Sequence, residues 1–406
     1  MKIKPGWLLA ILTGLNLFNY IDRFLLNGVL TPIQQEFSLT DAQLGRLNTA
    51  FMVGYFLTSP FFGYFGDRWS RKALIALGVG IGSLGTIATS WAPTYLSLLL
   101  VRMFVGLGEA SYASVCPSLI SDSFEGRKRN LALSVFYVGL PLGAALGYII
   151  SGQLHEVIGW RGAFLWVGLA SLMLTFVLQP FEEPKRGKAE GFEATYVPST
   201  IAEALHLRKL SGYVLCVAGY VAYTFAMGAL AVWAPIFLQR YHGQTNAQAT
   251  LFFGSVAVVT GILGTLAGGY ASSYYRKSNP AAYELLLAVS VLLALPLVAF
   301  ALVSPSLLLV QCAFGIAMFL LFLSTGPVNT VILDAVPLNL RSTAVAVSIF
   351  SIHLFGDLWS PEFVGFLSTT FGDLRSAMVV VPMAFGISTL LWATLAYRRL
   401  RVVNGE

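Results

Sequence analysis

Residues 63–72 read Gly63-Tyr64-Phe65-Gly66-Asp67-Arg68-Trp69-Ser70-Arg71-Lys72. The charges of this stretch stand between two apolar runs, roughly 42–65 and 73–91. One helix needs about 20 predominantly apolar residues to cross a bilayer core, so 63–72 reads as a short polar loop joining two crossings. The same alternation extends outward in both directions. Apolar runs and their Gly, Pro and charge punctuation predict twelve spans, near 7–31, 42–65, 73–91, 95–121, 130–153, 161–180, 211–239, 247–273, 282–303, 306–334, 342–370 and 374–397. Of 406 residues 56% are hydrophobic and 11% are Asp, Glu, Lys or Arg, against about 25% charged in soluble domains. A water-soluble enzyme is excluded, and the loops are too short for an extramembrane catalytic domain. The expected fold class is all-α and integral to the membrane.

Nineteen of the 25 Lys and Arg fall on the side shared by both ends, four on the other, and two, Arg23 and Arg102, within spans. That asymmetry places both termini in the cytoplasm and accounts for the net charge of +6 without a basic nucleic-acid face, which would need clustering. The apolar run after Lys2 and Lys4 continues past Asn27 with no small-residue cleavage site, so it reads as a retained first span rather than a signal peptide. Cys116, Cys216 and Cys312 are far apart, each in an apolar run, and suggest neither a disulfide framework nor a metal site. No cofactor is expected. Gly80-x-Gly82-x-x-Gly85 imitates a dinucleotide fingerprint but lies inside an apolar span with no preceding strand.

The polar stretch 181–210 divides the chain into an expected first six-helix bundle, 1–180, a cytoplasmic linker, and a second bundle, 211–406. Within the linker, Thr200 and Glu203 after Pro198 form a capping-box pattern for a short surface helix, with a plain flexible linker as the alternative. The halves echo each other. Asp122 precedes Arg129 by seven positions after span four, as Asp334 precedes Arg341 after span ten. Such duplication is the pattern of transporters whose site lies between the halves at mid-membrane.

These residues carry a family likeness. The loop 63–72 resembles the signature loop of the major facilitator superfamily; Arg102-x-x-x-Gly106-x-Gly108 in span four and Gly139-x-Pro141-x-Gly143-x-x-x-Gly147 in span five match two further motifs. More narrowly, Asn19-Tyr20-Ile21-Asp22-Arg23, Gly108-Glu109-Ala110-Ser111-Tyr112 and His353-Leu354-Phe355-Gly356-Asp357-x-x-Ser360-Pro361 are similar to the spinster branch, whose animal members carry sphingosine phosphate or lysophospholipids. The chain lacks the long terminal extensions of those members, which points to a bacterial homologue in the inner membrane. In the second-half counterpart of the signature loop, 269–277, Ser273 stands where the Asp would be. The likeness implies that Asp67 faces the amino terminus of span eleven and latches the cytoplasmic side when the transporter faces outward; Arg71 is expected to pair with Asp122.

An ionisable group at the bilayer centre costs about 2.5 to 3.5 kcal/mol on insertion scales. Asp22, Arg23, Arg102 and Glu109 must therefore face the protein interior. At about 1.5 Å per residue their depths allow Arg102 to meet Asp22 and Arg23 to meet Glu109. One reading is a static network pinning span one to span four. The other is that Asp22 or Glu109 takes up and releases a proton as a neighbouring Arg moves. Arg23 or Arg102 also suits an anionic head group. Asn19, Tyr20 and Tyr112 complete the first-half candidates. In the second half Tyr220, Tyr223, Phe225, Trp233, Phe319 and Phe322, with Ser324, Thr325 and Asn329, suit a hydrocarbon tail as a set, while helix packing explains any single aromatic among them better than a ligand does. His353 and Asp357, four apart, are same-face partners, and Pro361 predicts a break in span eleven. The expected protein is a secondary transporter working by alternating access, a proton-coupled exporter of an amphipathic lipid, acting as a monomer among membrane lipids. The alternatives are an organic-anion or multidrug transporter and, from other classes, a receptor or an intramembrane enzyme.

Overall fold

The computed structural model describes residues 4–66, 68–124, 126–177, 183, 207–337 and 340–404. Asp67 and the capping-box residues Thr200 and Glu203 lie outside them. Every regular element among the described residues is helical. In the first half these are α1 (Pro5–Leu25), α2 (Leu30–Phe37), α3 (Asp41–Gly66), α4 (Arg71–Thr89), α5 (Tyr95–Ser121) and α6 (Gly126–Val177). The second half holds α7 (Ser211–His242), α8 (Asn246–Tyr275), α9 (Ala282–Val303), α10 (Leu307–Phe322), α11 (Thr325–Asp334), α12 (Arg341–Ile352), α13 (Ser360–Phe371), α14 (Leu374–Ala377) and α15 (Val380–Asn404). Ten stretches among the described residues are long and apolar enough to cross a membrane. One of these, Leu131–Val177, contains a break at Gly159 (φ 73°) and so supplies two crossings. The helix α3, of 26 residues, completes the twelve spans read from the sequence.

Two spans are internally divided. Span ten breaks between α10 and α11 at 323–324. Span eleven runs from α12 into a π-helical turn, His353–Asp357, before α13 resumes with Pro361 in its first turn. Proline is accepted there because that N–H has no intrahelical partner to lose. The break that Pro361 announces thus falls one to two turns before it.

Two compact units result: Met1–Tyr196 with Thr245–Ser255, and Val197–Gln244 with Val256–Glu406. The first turns of α8 therefore belong with the first half. Asn246 Nδ2 donates to the Gly28 carbonyl at 2.7 Å, and the rings of Tyr148 and Phe253 meet edge to face at 5.3 Å.

Close approach organises the first unit, as the four-residue glycine spacings imply. A Cβ on Gly143 would stand 2.6 Å from Tyr20 Cβ of α1, and one on Gly147 2.8 Å from the Ile21 carbonyl. A Cβ on Gly106 of α5 would strike the Phe51 carbonyl of α3, and one on Gly108 the backbone of Gly78 and Gly82 in α4. These contacts seat α1, α3 and α4 around the mid-span charges of α5.

Polar ties recur in both units at equivalent places in the chain. At one set of span ends, Arg71 pairs with Asp122 and Arg276 with Asp334 (3.7 Å). At the other ends of the spans, Arg161 stacks on Trp160 and pairs with Glu36 at 2.5 Å. In the second unit Arg375 lies over Tyr241, whose hydroxyl donates to Asp373 at 2.5 Å. Gly159 and Gly372, both at positive φ, lead into these two turns, a backbone state that glycine adopts without steric cost.

Candidate functional site

The first unit gathers the predicted ionisable residues on adjoining helices. Asp22 and Arg23 come from α1, Arg102 and Glu109 from α5. Asp22, Arg102 and Glu109 are 4%, 0% and 5% exposed, whereas Arg23, Asn19 and Tyr20 are half-buried. Three of the four charges are thus enclosed by protein. Asp22 faces Arg102 electrostatically, and Glu109 feels Asp22, Arg23 and Arg102 together.

Proximity has not produced the two tidy pairs expected from depth. Nε, Nη1 and Nη2 of Arg102 make no hydrogen bond, and Oδ1 of Asp22 and Oε1 of Glu109 are likewise unbonded. The buried guanidinium instead lies over the Phe51 ring at 5.2 Å. The Arg23 guanidinium approaches the same ring at 5.3 Å, lies 5.9 Å from that of Tyr55, and donates to Met52 Sδ at 3.1 Å. Cation–π attraction of this kind contributes up to about 2 kcal/mol when desolvated. That is small against the several kcal/mol needed to bury an ion. Most of the compensation for Arg102 must come from the carboxylates around it, and their geometry leaves donors available.

Asp22 has one hydrogen-bond donor that the sequence did not single out. The Thr86 hydroxyl of α4 donates to its Oδ2. A threonine inside an apolar run looks neutral, but Thr86 lies one turn after Gly82 and two after Gly78, on the face that meets α5. Phe51, Met52 and Tyr55 were missed for a similar reason: nothing distinguishes a ring facing two guanidinium groups from one facing lipid.

The other candidates lie elsewhere in the two units. Tyr112 is buried; its hydroxyl donates to the Leu12 carbonyl, and its ring stacks on Phe136 in the core with Leu8, Leu15 and Val115. Tyr223 donates to the Leu321 carbonyl at 2.9 Å and packs on Trp392 and Phe385. Trp233 is wholly buried and donates to the Pro361 carbonyl at 3.0 Å. Tyr220, Phe225, Phe319 and Phe322 remain half-buried; Asn329 is exposed, with its amide on the Thr325 carbonyl. His353 Nδ1 lies 3.0 Å from both oxygens of Asp357 within the π turn, the arrangement their spacing implied.

Arg71 is 4% exposed through its side chain and joins Asp122, also engaging Glu183 at 2.8 Å through Nε. Ser70 Oγ donates to the other Glu183 oxygen at 2.7 Å. Asp67, the expected latch residue, is outside the described residues. No group of three or more His, Cys, Asp or Glu among the described residues could hold a metal ion.

Residues 12–358 match the Major Facilitator Superfamily. Protein spinster homolog 1 of Xenopus laevis is 33% identical over 395 residues, covering 93% of this chain and 75% of its own. Protein spinster homolog 1 of Homo sapiens is 35% identical over 392 residues, 90% and 74%. A crystal structure of a bacterial homologue of the human lysosomal transporter spinster superposes with a TM-score of 0.90 at 24% identity, over 99% of this chain and 98% of that one. The fold is thus that of the superfamily, and the chain belongs to the Major Facilitator Superfamily, among the spinster-type transporters.

Proposed function

We propose that this transporter couples proton movement to the export of an amphipathic lipid with an anionic or zwitterionic head, such as a lysophospholipid. The observation that supports it best is the buried group Asp22, Arg102 and Glu109, with Arg102 hydrogen-bonded to nothing and Arg23 half-open beside it. Two carboxylates around an uncommitted guanidinium can change their proton count with small movements of that guanidinium. Arg23 offers a fork for phosphate. The half-buried Tyr220, Phe225, Phe319 and Phe322 of the second unit offer the apolar surface a tail requires. The Lys/Arg distribution supports placing both termini in the cytoplasm, and the inner membrane is the proposed address in a bacterium. Asp67, by its place in the signature loop, serves as the cytoplasmic latch.

Purified protein in vesicles with an imposed pH gradient tests this. Lysophospholipid movement is expected to follow the gradient, and Asp22→Asn or Glu109→Gln to remove that dependence while binding persists. Transport that keeps its full pH response in both variants would remove the coupling assignment. Preference for a compact soluble anion over any lysophospholipid would replace the lipid by an organic anion.

A further inference from the structure

One hydroxyl in the first unit faces two acceptors. Thr86 Oγ1 is within hydrogen-bonding reach of Asp22 Oδ2 and lies 3.1 Å from the Gly82 carbonyl on its own helix. It is fully buried, and the Asp22 it meets is buried as well. A hydroxyl carries one proton and two lone pairs, so it satisfies only one of these acceptors at a time. We infer that Thr86 is the positioning residue that lets Asp22 hold both of its protonation states in one place.

With Asp22 ionised, the Thr86 O–H points at Oδ2. When a proton arrives from water, it bonds to Oδ2; that O–H then donates to Thr86 Oγ1, and the threonine proton swings about the Cβ–Oγ bond to the Gly82 carbonyl. Thr86 loses and gains no proton, and Asp22 gains one. The helix carbonyl has a second lone pair for the purpose, and backbone and side-chain positions need not change. The other groups around Asp22 cannot play this part. Arg102 and Glu109 on α5 act on it electrostatically without a hydrogen bond to its Oδ1, and Arg23 and Tyr20 are its neighbours on α1. From α6, Gly143 and Gly147 pack against α1 near it, with Tyr148 one residue on, engaged with Asn27. Ser83 on α4 is buried, but its hydroxyl makes no hydrogen bond. Among the described residues, Thr86 alone is seen to donate a hydrogen bond to the carboxylate.

This inference rests on Asp22 being a proton-coupling group, and the two are separable by infrared difference spectroscopy on the full chain in vesicles. The carboxylic-acid C=O band is titrated over roughly pH 5 to 9 and assigned by its loss in Asp22→Asn. Thr86→Ser keeps the hydroxyl and is expected to keep the midpoint. Thr86→Val, of the same shape without the hydroxyl, loses a charge-assisted bond worth more to the anion than its neutral counterpart. Its midpoint should move up by about one pH unit, and the C=O band to higher frequency. A merely structural threonine would lower thermal stability in Thr86→Val and leave midpoint and frequency alone, which would overturn the inference. No band sensitive to Asp22→Asn would instead bring down the coupling role of Asp22, and this inference with it.

Discussion

Glu183 shows how a single side chain can be read through its neighbours. Its partial burial acts to raise the carboxyl pKa, but the Arg71 guanidinium, the Ser70 hydroxyl and the backbone N–H groups of Arg71 and Lys72 outweigh that and hold it below the ordinary carboxylate range. A lowered pKa in the folded protein contributes stability that is full above the unfolded value, about 4.3, and is lost as pH falls through the folded value. Glu183→Gln should therefore lower the melting temperature at neutral pH, with the deficit shrinking toward zero in acid; an equal deficit at both would contradict this. Asp373 is held at about 2 by the Ser376 hydroxyl first and then by Tyr241. It also caps α14 through the Ser376 N–H at 2.7 Å. Asp373→Ala is expected to cost about 1 kcal/mol from neutral pH down to about 4, and less below. At this scale Asp22, Arg23, Arg102 and Glu109 were legible because a charge in an apolar run is expensive and must have a reason. Thr86 and Phe51 were not, because a threonine or a ring costs a membrane helix little wherever it points.

Helix elements in this protein are set by how near their backbones can come. The contact of α3 with α5 at Gly106 admits no side chain, and Gly106→Val would force those helices apart beneath Arg102 and Phe51. Overpacking of this kind typically costs about 1 to 3 kcal/mol. The expected result is a lower melting temperature, whereas Gly80→Ala, where nothing lies within 4 Å of the added Cβ, should be neutral. Equal behaviour of the two variants would show that small-residue contact is not what seats α5. The spacing of Gly78, Gly82, Gly139, Gly143 and Gly147 announced close approach but not the partner helix. Pro361 likewise announced a break in span eleven without placing it at the π-helical turn His353–Asp357, because proline in a first turn loses no intrahelical bond of its own.

Across the whole molecule the duplication is visible in matching ion pairs, and their surroundings differ. The Arg71–Asp122 pair is 4% and 17% exposed, the Arg276–Asp334 pair 29% and 42%. Exposed pairs contribute about 0 to 1 kcal/mol, while a charged hydrogen bond out of water contributes about 1.5 to 3. Asp122→Asn should accordingly destabilise the protein several times more than Asp334→Asn, measured by chemical or thermal denaturation of each; comparable losses would refute the comparison.

Chain length, apolar run length and the Lys/Arg distribution determined on their own the number of spans, the expected orientation and the presence of costly charges inside them. Each of those is a one-dimensional property of the chain, set by what a bilayer of fixed thickness accepts. Only the tertiary structure decided that Asp22 would meet a hydroxyl, that Arg102 would be left without a hydrogen bond, and that Tyr112, Tyr223 and Trp233 would each donate to a backbone carbonyl of a neighbouring helix. A helix that is apolar all round carries no stripe to report its rotation. Which face turns inward, and so which polar atoms meet, is set by side-chain fit between helices.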